Sequence, residues 1–140
     1  MIKWKKYDGL SDREDGSMKH IKPFRDGEPR WYGQFLGQMR KVYRCVDADL
    51  TDAEHISMGI TLFEPGEGSS LHNHEGAEEV CYVISGSGSS FDEKGDLAGS
   101  FVEGDILYYR EGEFHRHVND GNKTLQILWM HPVIDAMLKE

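Results

Sequence analysis

The fold of this chain is decided by the stretch Gly66-Glu-Gly-Ser-Ser-Leu-His72-Asn-His74-Glu-Gly-Ala-Glu-Glu79-Val-Cys-Tyr-Val-Ile-Ser-Gly86. His72 and His74 are separated by one residue. On a β-strand both imidazoles then point to the same face, because side chains alternate with a period of two. Glycines mark both ends of the stretch, where the chain can turn back on itself. The stretch therefore predicts a pair of histidines on one face of a folded-back β-structure.

A second block further along the chain supplies another histidine. It reads Gly104-Asp-Ile-Leu-Tyr-Tyr-Arg110-Glu-Gly112-Glu-Phe-His115-Arg-His117-Val-Asn119. If the two blocks lie on neighbouring strands, they bring together four metal ligands: His72, His74, Glu79 and His115. Three neutral imidazoles and one carboxylate suit one divalent transition metal, which would be Fe, Mn, Ni or Zn. Cu(I) and Fe–S clusters prefer thiolates, and Ca²⁺ and Mg²⁺ prefer all-oxygen shells.

The rest of the pattern indicates an all-β fold. Short apolar runs alternate with glycine turns, which is typical of an antiparallel sandwich or barrel. Between these runs there is no amphipathic helix of the kind that a βαβ fold requires. The predicted strands cover about residues 38–46, 55–63, 70–75, 78–84, 87–91, 96–102, 105–109, 115–119 and 124–130.

The chain of 140 residues is predicted to hold one β-domain with two short extensions. Residues 1–37 are polar and rich in turns, and we interpret them as an N-terminal arm. Residues 38–132 form the β-barrel domain, and residues 133–140, which follow Pro132, form a short helical tail. The arm carries closely spaced aromatic side chains that are expected to bury against a second subunit in a homodimer. They are Trp4, Tyr7, Phe24, Trp31 and Phe35.

Together the two blocks resemble the motifs of the cupin superfamily. The first motif, G-x5-H-x-H-x3,4-E-x6-G, is matched at every position from Gly66 to Gly86. The second, G-x5-P-x-G-x2-H-x3-N, is matched except that Arg110 stands where the family usually has proline. The chain is thus identified as a small single-domain metal-binding cupin. The resemblance implies a double-stranded β-helix, also called a jelly-roll barrel, with the metal inside it.

Two assignments within the site need arguments of their own. Glu79 is chosen over Glu78 because the motif places six residues between its glutamate and its last glycine, Gly86. Alternation then directs Cys81 inward with Glu79. His117 follows His115 by two residues and shares its face, so it is the candidate catalytic residue, a proton carrier beside the metal. The alternative for His117 is a core histidine satisfied by a hydrogen bond.

Other side chains receive no firm role. Cys81 could line the cavity, although a buried cysteine is most often a small hydrophobe. Arg40 and Arg44 share a strand face, but the sequence does not say whether that face is the interior, so an anionic substrate remains open. His131 has no partner that the sequence identifies.

Charge and composition exclude several classes of function. The net charge of −9 argues against nucleic acid and anionic membranes as partners, since both require a basic patch. No apolar run approaches the ~18 residues of a membrane span, and the start lacks the apolar region of a signal peptide. Two isolated cysteines, Cys45 and Cys81, indicate a reducing cytoplasm rather than a disulfide framework.

The resemblance also implies the function. It predicts a metal-dependent enzyme that acts on a small polar organic molecule, with oxygenase-type chemistry as the first expectation. The first alternative is an isomerase, epimerase, decarboxylase or lyase that uses the metal as a Lewis acid. The second is a small-ligand-binding cupin without catalysis. Neither the substrate nor the metal can be read from the sequence.

Overall fold

The computed structural model describes residues 22–33 and 39–133. Within these residues the chain forms nine strands, one 3-10 helix and one short α-helix, which confirms the predicted all-β class. No helix among the described residues is long and apolar enough to cross a membrane. The elements in chain order are the 3-10 helix Phe24–Asp26, β1 Glu28–Tyr32, β2 Arg40–Val46, α1 Ala48–Thr51, β3 Ile56–Phe63, β4 Glu79–Ser85, β5 Ser87–Phe91, β6 Leu97–Val102, β7 Ile106–Tyr109, β8 Arg116–Val118 and β9 Leu125–Pro132.

The strands form two antiparallel sheets. The larger has the order β1-β2-β3-β9-β4-β7 and the smaller has the order β6-β5-β8. The segment between β3 and β4 joins the smaller sheet through two isolated bridges, from Gly68 to Val118 and from His72 to His115. The two motif blocks of the sequence thus lie side by side, joined by these two backbone bridges.

The core follows the period-two alternation of the strands. On β4, Cys81 and Val83 are fully buried, whereas Val80 and Tyr82 on the opposite face are exposed. The inward side chains pack with residues of β3, β6, β7 and β9. This cluster consists of Phe63, Cys81, Val83, Phe101, Tyr109, Leu125 and Ile127.

A second cluster lies on the outer face of β2 and β3. It contains Tyr43, Cys45, Ile60 and Leu62, and Phe24 of the 3-10 helix packs against it. The rings of Phe24 and Tyr43 meet edge to face, with centroids 5.4 Å apart. The segment before β1 therefore covers part of the outer face of the larger sheet.

Gly59 on β3 allows a close approach between strands. A Cβ atom at this position would overlap the indole of Trp129 and lie 2.5 Å from the backbone oxygen of Tyr43. Only glycine lets the Trp129 ring pack flat against β3.

Two predictions about local structure were wrong. No strand was expected at 28–32, which sequence analysis assigned to the arm, yet β1 pairs along its whole length with β2. A strand was expected at about 70–75, but only His72 makes a bridge there. The chain turns immediately afterwards, where Gly76 has a φ of 77° and the backbone nitrogen of Ala77 donates to the oxygen of His74.

The predicted helical tail lies, apart from Val133, outside the described residues, as do Trp4, Tyr7 and Phe35 of the arm. The division of the chain at residues 37 and 132 stays a prediction.

Candidate metal centre

The three motif histidines lie together in the structure. His72 and His115 face each other across a backbone bridge, with their imidazole centroids 4.4 Å apart. The imidazole of His74 lies 5.1 Å from that of His72. The three residues each offer one ring nitrogen, and these nitrogens all lie within 4.8 Å of one another. The spacing of the two blocks therefore does produce a cluster.

Glu79 is the fourth member of this arrangement. It is the first residue of β4, is buried, and directs its Oε2 atom to 2.7 Å from Nε2 of His74 and 3.7 Å from Nε2 of His115. The neighbouring Glu78 is exposed and accepts a hydrogen bond from Tyr108. The structure thus brings Glu79, and not Glu78, to the histidines.

Backbone carbonyl groups fix the orientation of two of these rings. Nδ1 of His72 donates to the oxygen of Ser70 at 2.8 Å, and Nδ1 of His115 donates to the oxygen of Glu113 at 3.0 Å. A carbonyl can only accept, so the proton of each neutral ring is on Nδ1 and the lone pair of Nε2 points into the cluster. Metal-binding histidines are commonly held in this way.

The protonation states also suit a cation. Burial lowers the pKa of His72 to about 4, and the charge of neighbouring His115 lowers it further. Burial likewise lowers the pKa of His115. Burial by itself would raise the pKa of Glu79, but the close contact with His74 and the nearby imidazoles outweigh it and hold that pKa well below its usual range. At neutral pH the cluster therefore contains the carboxylate and neutral forms of His72 and His115.

Unsatisfied polar atoms provide a direct test of whether a metal fits. Glu79 Oε2 and His115 Nε2 are both buried, and neither makes a hydrogen bond of acceptable geometry, although Oε2 lies 2.7 Å from Nε2 of His74. Leaving one such atom unpaired in a protein interior costs about 1–3 kcal/mol. A divalent cation between them would satisfy both atoms, so the residues present fit the predicted metal.

A cavity opens beside the cluster and reaches across the larger sheet. The empty space between its lining atoms is about 680 Å³, which includes open solvent at the mouth. Arg40, Val42 and Arg44 all line it, so this face of β2 is the interior face that the sequence left undecided. The other lining residues are Tyr32, Asp47, Thr61, Phe63, Ser69, His72, His74, Glu79, Cys81, His117, Ile127, Trp129 and His131.

The two arginines of the cavity have different surroundings. Arg44 is buried and donates to Glu28 at 2.8 Å, to Asp47 at 2.9 Å and to Asp49 at 2.7 Å. Its charge is thus matched by carboxylates of the protein itself. The guanidinium of Arg40 lies 4.9 Å from the centroid of the Tyr32 ring.

His117 lies on the same face as His115, as alternation predicted. Its Nε2 atom is 2.7 Å from the hydroxyl oxygen of Tyr109, which is in turn 2.8 Å from Oγ of Ser90. Tyr109 also stacks on His115, with centroids 3.9 Å apart and an interplanar angle of 12°. Burial lowers the pKa of His117 to about 3, so the ring is neutral and hydrogen bonded.

Sequence analysis gave no partner to His131, and the structure supplies its surroundings. Nδ1 donates to the oxygen of Pro132 at 2.7 Å, and the ring stacks between His74 and Trp129. Its Nε2 atom is buried without a hydrogen-bond partner. The inward alternation of Ile127 and Trp129 on β9, extended by two residues, would have identified it.

Comparison with known proteins identifies relatives of this chain. A family model described as a cupin domain matches residues 59–131. The oxalate-binding protein of Thermotoga maritima is 36% identical over 64 residues, which are 46% of this chain and 51% of that protein. A gentisate 1,2-dioxygenase of Haloferax is 33% identical over 88 residues, 59% of this chain and 24% of that enzyme. The chain thus spans about half of the first relative and a quarter of the second.

Solved structures agree on the fold. A predicted oxalate decarboxylase from Thermotoga maritima superposes with a TM-score of 0.68 at 22% identity, over 81% of this chain and 99% of that chain. An uncharacterized protein with a double-stranded β-helix domain from Klebsiella pneumoniae superposes with a TM-score of 0.61 at 18% identity, over 84% and 87%. These similarities confirm the double-stranded β-helix.

Proposed function

The chain belongs to the cupin family, and from that premise we propose that it is a metal-dependent enzyme acting on a small polar organic molecule inside its barrel. The observation that carries the proposal is a pair of buried atoms that make no well-formed hydrogen bond, Glu79 Oε2 and His115 Nε2, within the histidine cluster. Such atoms stabilise a fold poorly and bind a cation well.

One divalent ion, Fe, Mn, Ni or Zn, would be held by His72, His74, Glu79 and His115. Such an ion supplies redox chemistry towards O₂ when it is Fe(II), and Lewis-acid chemistry towards a carbonyl or hydroxyl group in all four cases. The protein contributes the enclosure. Phe63, Ile127 and Trp129 form apolar walls that exclude water from the reacting groups.

Oxygenase-type chemistry is our first proposal for the reaction. It is supported by the relative named gentisate 1,2-dioxygenase, which aligns with 59% of the chain. An acidic substrate is supported by the two arginines of the cavity wall and by the relative named oxalate-binding protein. We assign the substrate's acidic group to Arg40 because its side chain lines the cavity and a guanidinium can bind a carboxylate through two hydrogen bonds.

A second candidate is a reaction of the isomerase, epimerase, decarboxylase or lyase type. The observation that favours it is the hydrogen-bonded row of Ser90, Tyr109 and His117 beside the cluster. In either reaction we propose His117 as the proton carrier. Since the pKa of His117 is lowered to about 3, the ring would pass a proton along its hydrogen bond with Tyr109 rather than store it.

The test begins with elemental analysis of the purified protein and continues with oxygen-electrode assays against pooled small acids and sugars. Iron together with substrate-dependent O₂ uptake selects the oxygenase. Mn, Ni or Zn with turnover but no O₂ uptake selects the isomerase or lyase class. If the metal-loaded protein binds a ligand but never converts it, the protein is a non-catalytic cupin, and the proposal that it is an enzyme is overturned. Activity that persists after a chelator has removed all metal overturns the proposal that the reaction depends on a metal.

We also propose a homodimer in a reducing compartment, the cytoplasm. Cys45 and Cys81 are both unbridged thiols, which supports the compartment. The dimer is supported by Trp31, which is 62% exposed, and by apolar side chains exposed on the outer face of the larger sheet. These are Val80, Tyr82, Ile106, Tyr108 and Met130. Phe24 packs within its own chain instead. Light scattering that gives a clean monomer at micromolar concentration would contradict the dimer.

A further inference from the structure

Cys81 lies beside the candidate metal centre and has no role in the function proposed above. It is two residues after Glu79 on β4, faces the same side, and has 0% of its surface exposed. Its Sγ atom is 3.2 Å from Oε1 of Glu79. The other carboxylate oxygen, Oε2, is the one that faces His74 and His115 without a well-formed hydrogen bond.

The direction of this hydrogen bond follows from chemistry. An ionised carboxylate has no proton and can only accept, so the thiol must donate. The sulfur is fully buried, and a buried thiol is a poor nucleophile.

We propose that Cys81 is a positioning residue for the metal: its thiol holds Oε1 of Glu79 and so presents Oε2 alone to the ion. The inference rests on the proposed metal-dependent function and deepens it. A carboxylate that offers one oxygen rather than two leaves one more coordination position for substrate. The two oxygens of Glu79 thus have separate partners, one in the protein and one in the ion.

A space-filling role for Cys81 makes a different prediction. If the side chain only filled the core, serine and alanine would behave alike, because both are smaller than cysteine. If the hydrogen bond matters, Cys81→Ser keeps a donor and Cys81→Ala loses it. Cys45 is the matched control, since it is the other buried cysteine, packs on the outer face of the larger sheet, and donates to the backbone oxygens of Phe24 and Tyr43.

The experiment uses the full chain, freed of metal by a chelator and titrated with Co²⁺, followed by calorimetry and by visible absorption. Cys81→Ala should weaken Co²⁺ binding by about 10–100-fold, the usual effect of losing a partner of a metal ligand. It should also change the absorption intensity, which reports the coordination number of Co²⁺. Cys81→Ser should stay within about 3-fold of the wild type, and Cys45→Ala should bind as the wild type does.

Each outcome separates the two proposals. Wild-type affinity and spectrum in Cys81→Ala overturn the role of Cys81 and leave the metal centre standing. Equal losses in the serine and alanine variants, with equal melting temperatures of the metal-free proteins, also overturn it. Wild-type protein that binds no Co²⁺, Fe²⁺, Mn²⁺, Ni²⁺ or Zn²⁺ overturns the proposed function itself.

Discussion

Replacing Arg44 with methionine should destabilise the fold, because Arg44 neutralises carboxylates that have little access to water. Arg44, Glu28 and Asp47 have 2–4% of their surface exposed, whereas the side chain of Asp49 is 47% exposed and contributes little. Removing one partner of a buried ion pair costs about 3–5 kcal/mol. Glu28 keeps its contact with Arg30, and Asp47 keeps its contact with Ser57, so we expect the lower end, about 3 kcal/mol.

The sign of the pH dependence follows from Asp47. Burial alone would raise its pKa, but the hydrogen bonds from Arg44 and Ala48 outweigh burial and lower it. A depressed carboxyl pKa stabilises the fold above the unfolded value of about 4, and this stabilisation is lost as the pH falls through the folded value. The difference between wild type and Arg44→Met should therefore be largest near pH 7 and should shrink below about pH 4.

The assay is urea unfolding of the metal-free protein at several pH values, supported by thermal melts. A loss of about 3 kcal/mol should lower the melting temperature by about 10 °C. The control is Arg30→Met, which removes a partly exposed partner of the same Glu28 and should cost about 1 kcal/mol or less. A loss below 1 kcal/mol at pH 7 for Arg44→Met, or a loss that does not change with pH, would refute the reasoning.

Three further predictions concern the metal centre. His72→Ala or His115→Ala should abolish metal content and activity together by elemental analysis and turnover assay, whereas Glu78→Gln should change neither, since Glu78 points away from the cluster. His117→Ala should lower turnover by about 10²–10⁴-fold at wild-type metal content, and equal loss of metal would contradict its role as proton carrier. NMR titration of metal-free protein should give a His72 pKa of about 4, because the ring is buried; a midpoint near the ordinary value of about 6.5 would contradict this.

The sequence predicted those parts of the fold that depend on regular geometry. Strand alternation placed His117 on the face of His115, and the motif spacing before Gly86 selected Glu79 rather than Glu78. The structure agrees with both placements, because a side chain two residues along an extended chain returns to the same face. His72 and His74 also lie together, although only His72 of the strand predicted there makes a bridge.

What the sequence did not predict depends on contacts between distant residues. The β1 sequence Glu28-Pro-Arg-Trp-Tyr32 is charged and lacks an apolar alternation, so nothing local indicates a strand. It pairs with β2, and this pairing places the carboxylate of Glu28 against the buried guanidinium of Arg44 on β2. For the same reason the sequence did not show whether Arg44 faces the interior. The strand predicted at 70–75 is not formed because the chain turns at Gly76, and the backbone oxygen of His74 accepts a hydrogen bond within that turn.

The close contact of Gly59 with Trp129 limits how mutation can change the shape of the cavity. Trp129 is one wall of the cavity, so a smaller residue there enlarges the space available to a substrate. No side chain can be added at position 59 to compensate. Even without the indole, the backbone oxygen of Tyr43 would lie 2.5 Å from any added Cβ. A single mutation at position 129 can therefore widen the cavity at this wall. A second mutation at position 59 on the neighbouring strand β3 cannot add to that change. A mutant library designed to shift specificity should vary residue 129 and leave residue 59 as glycine.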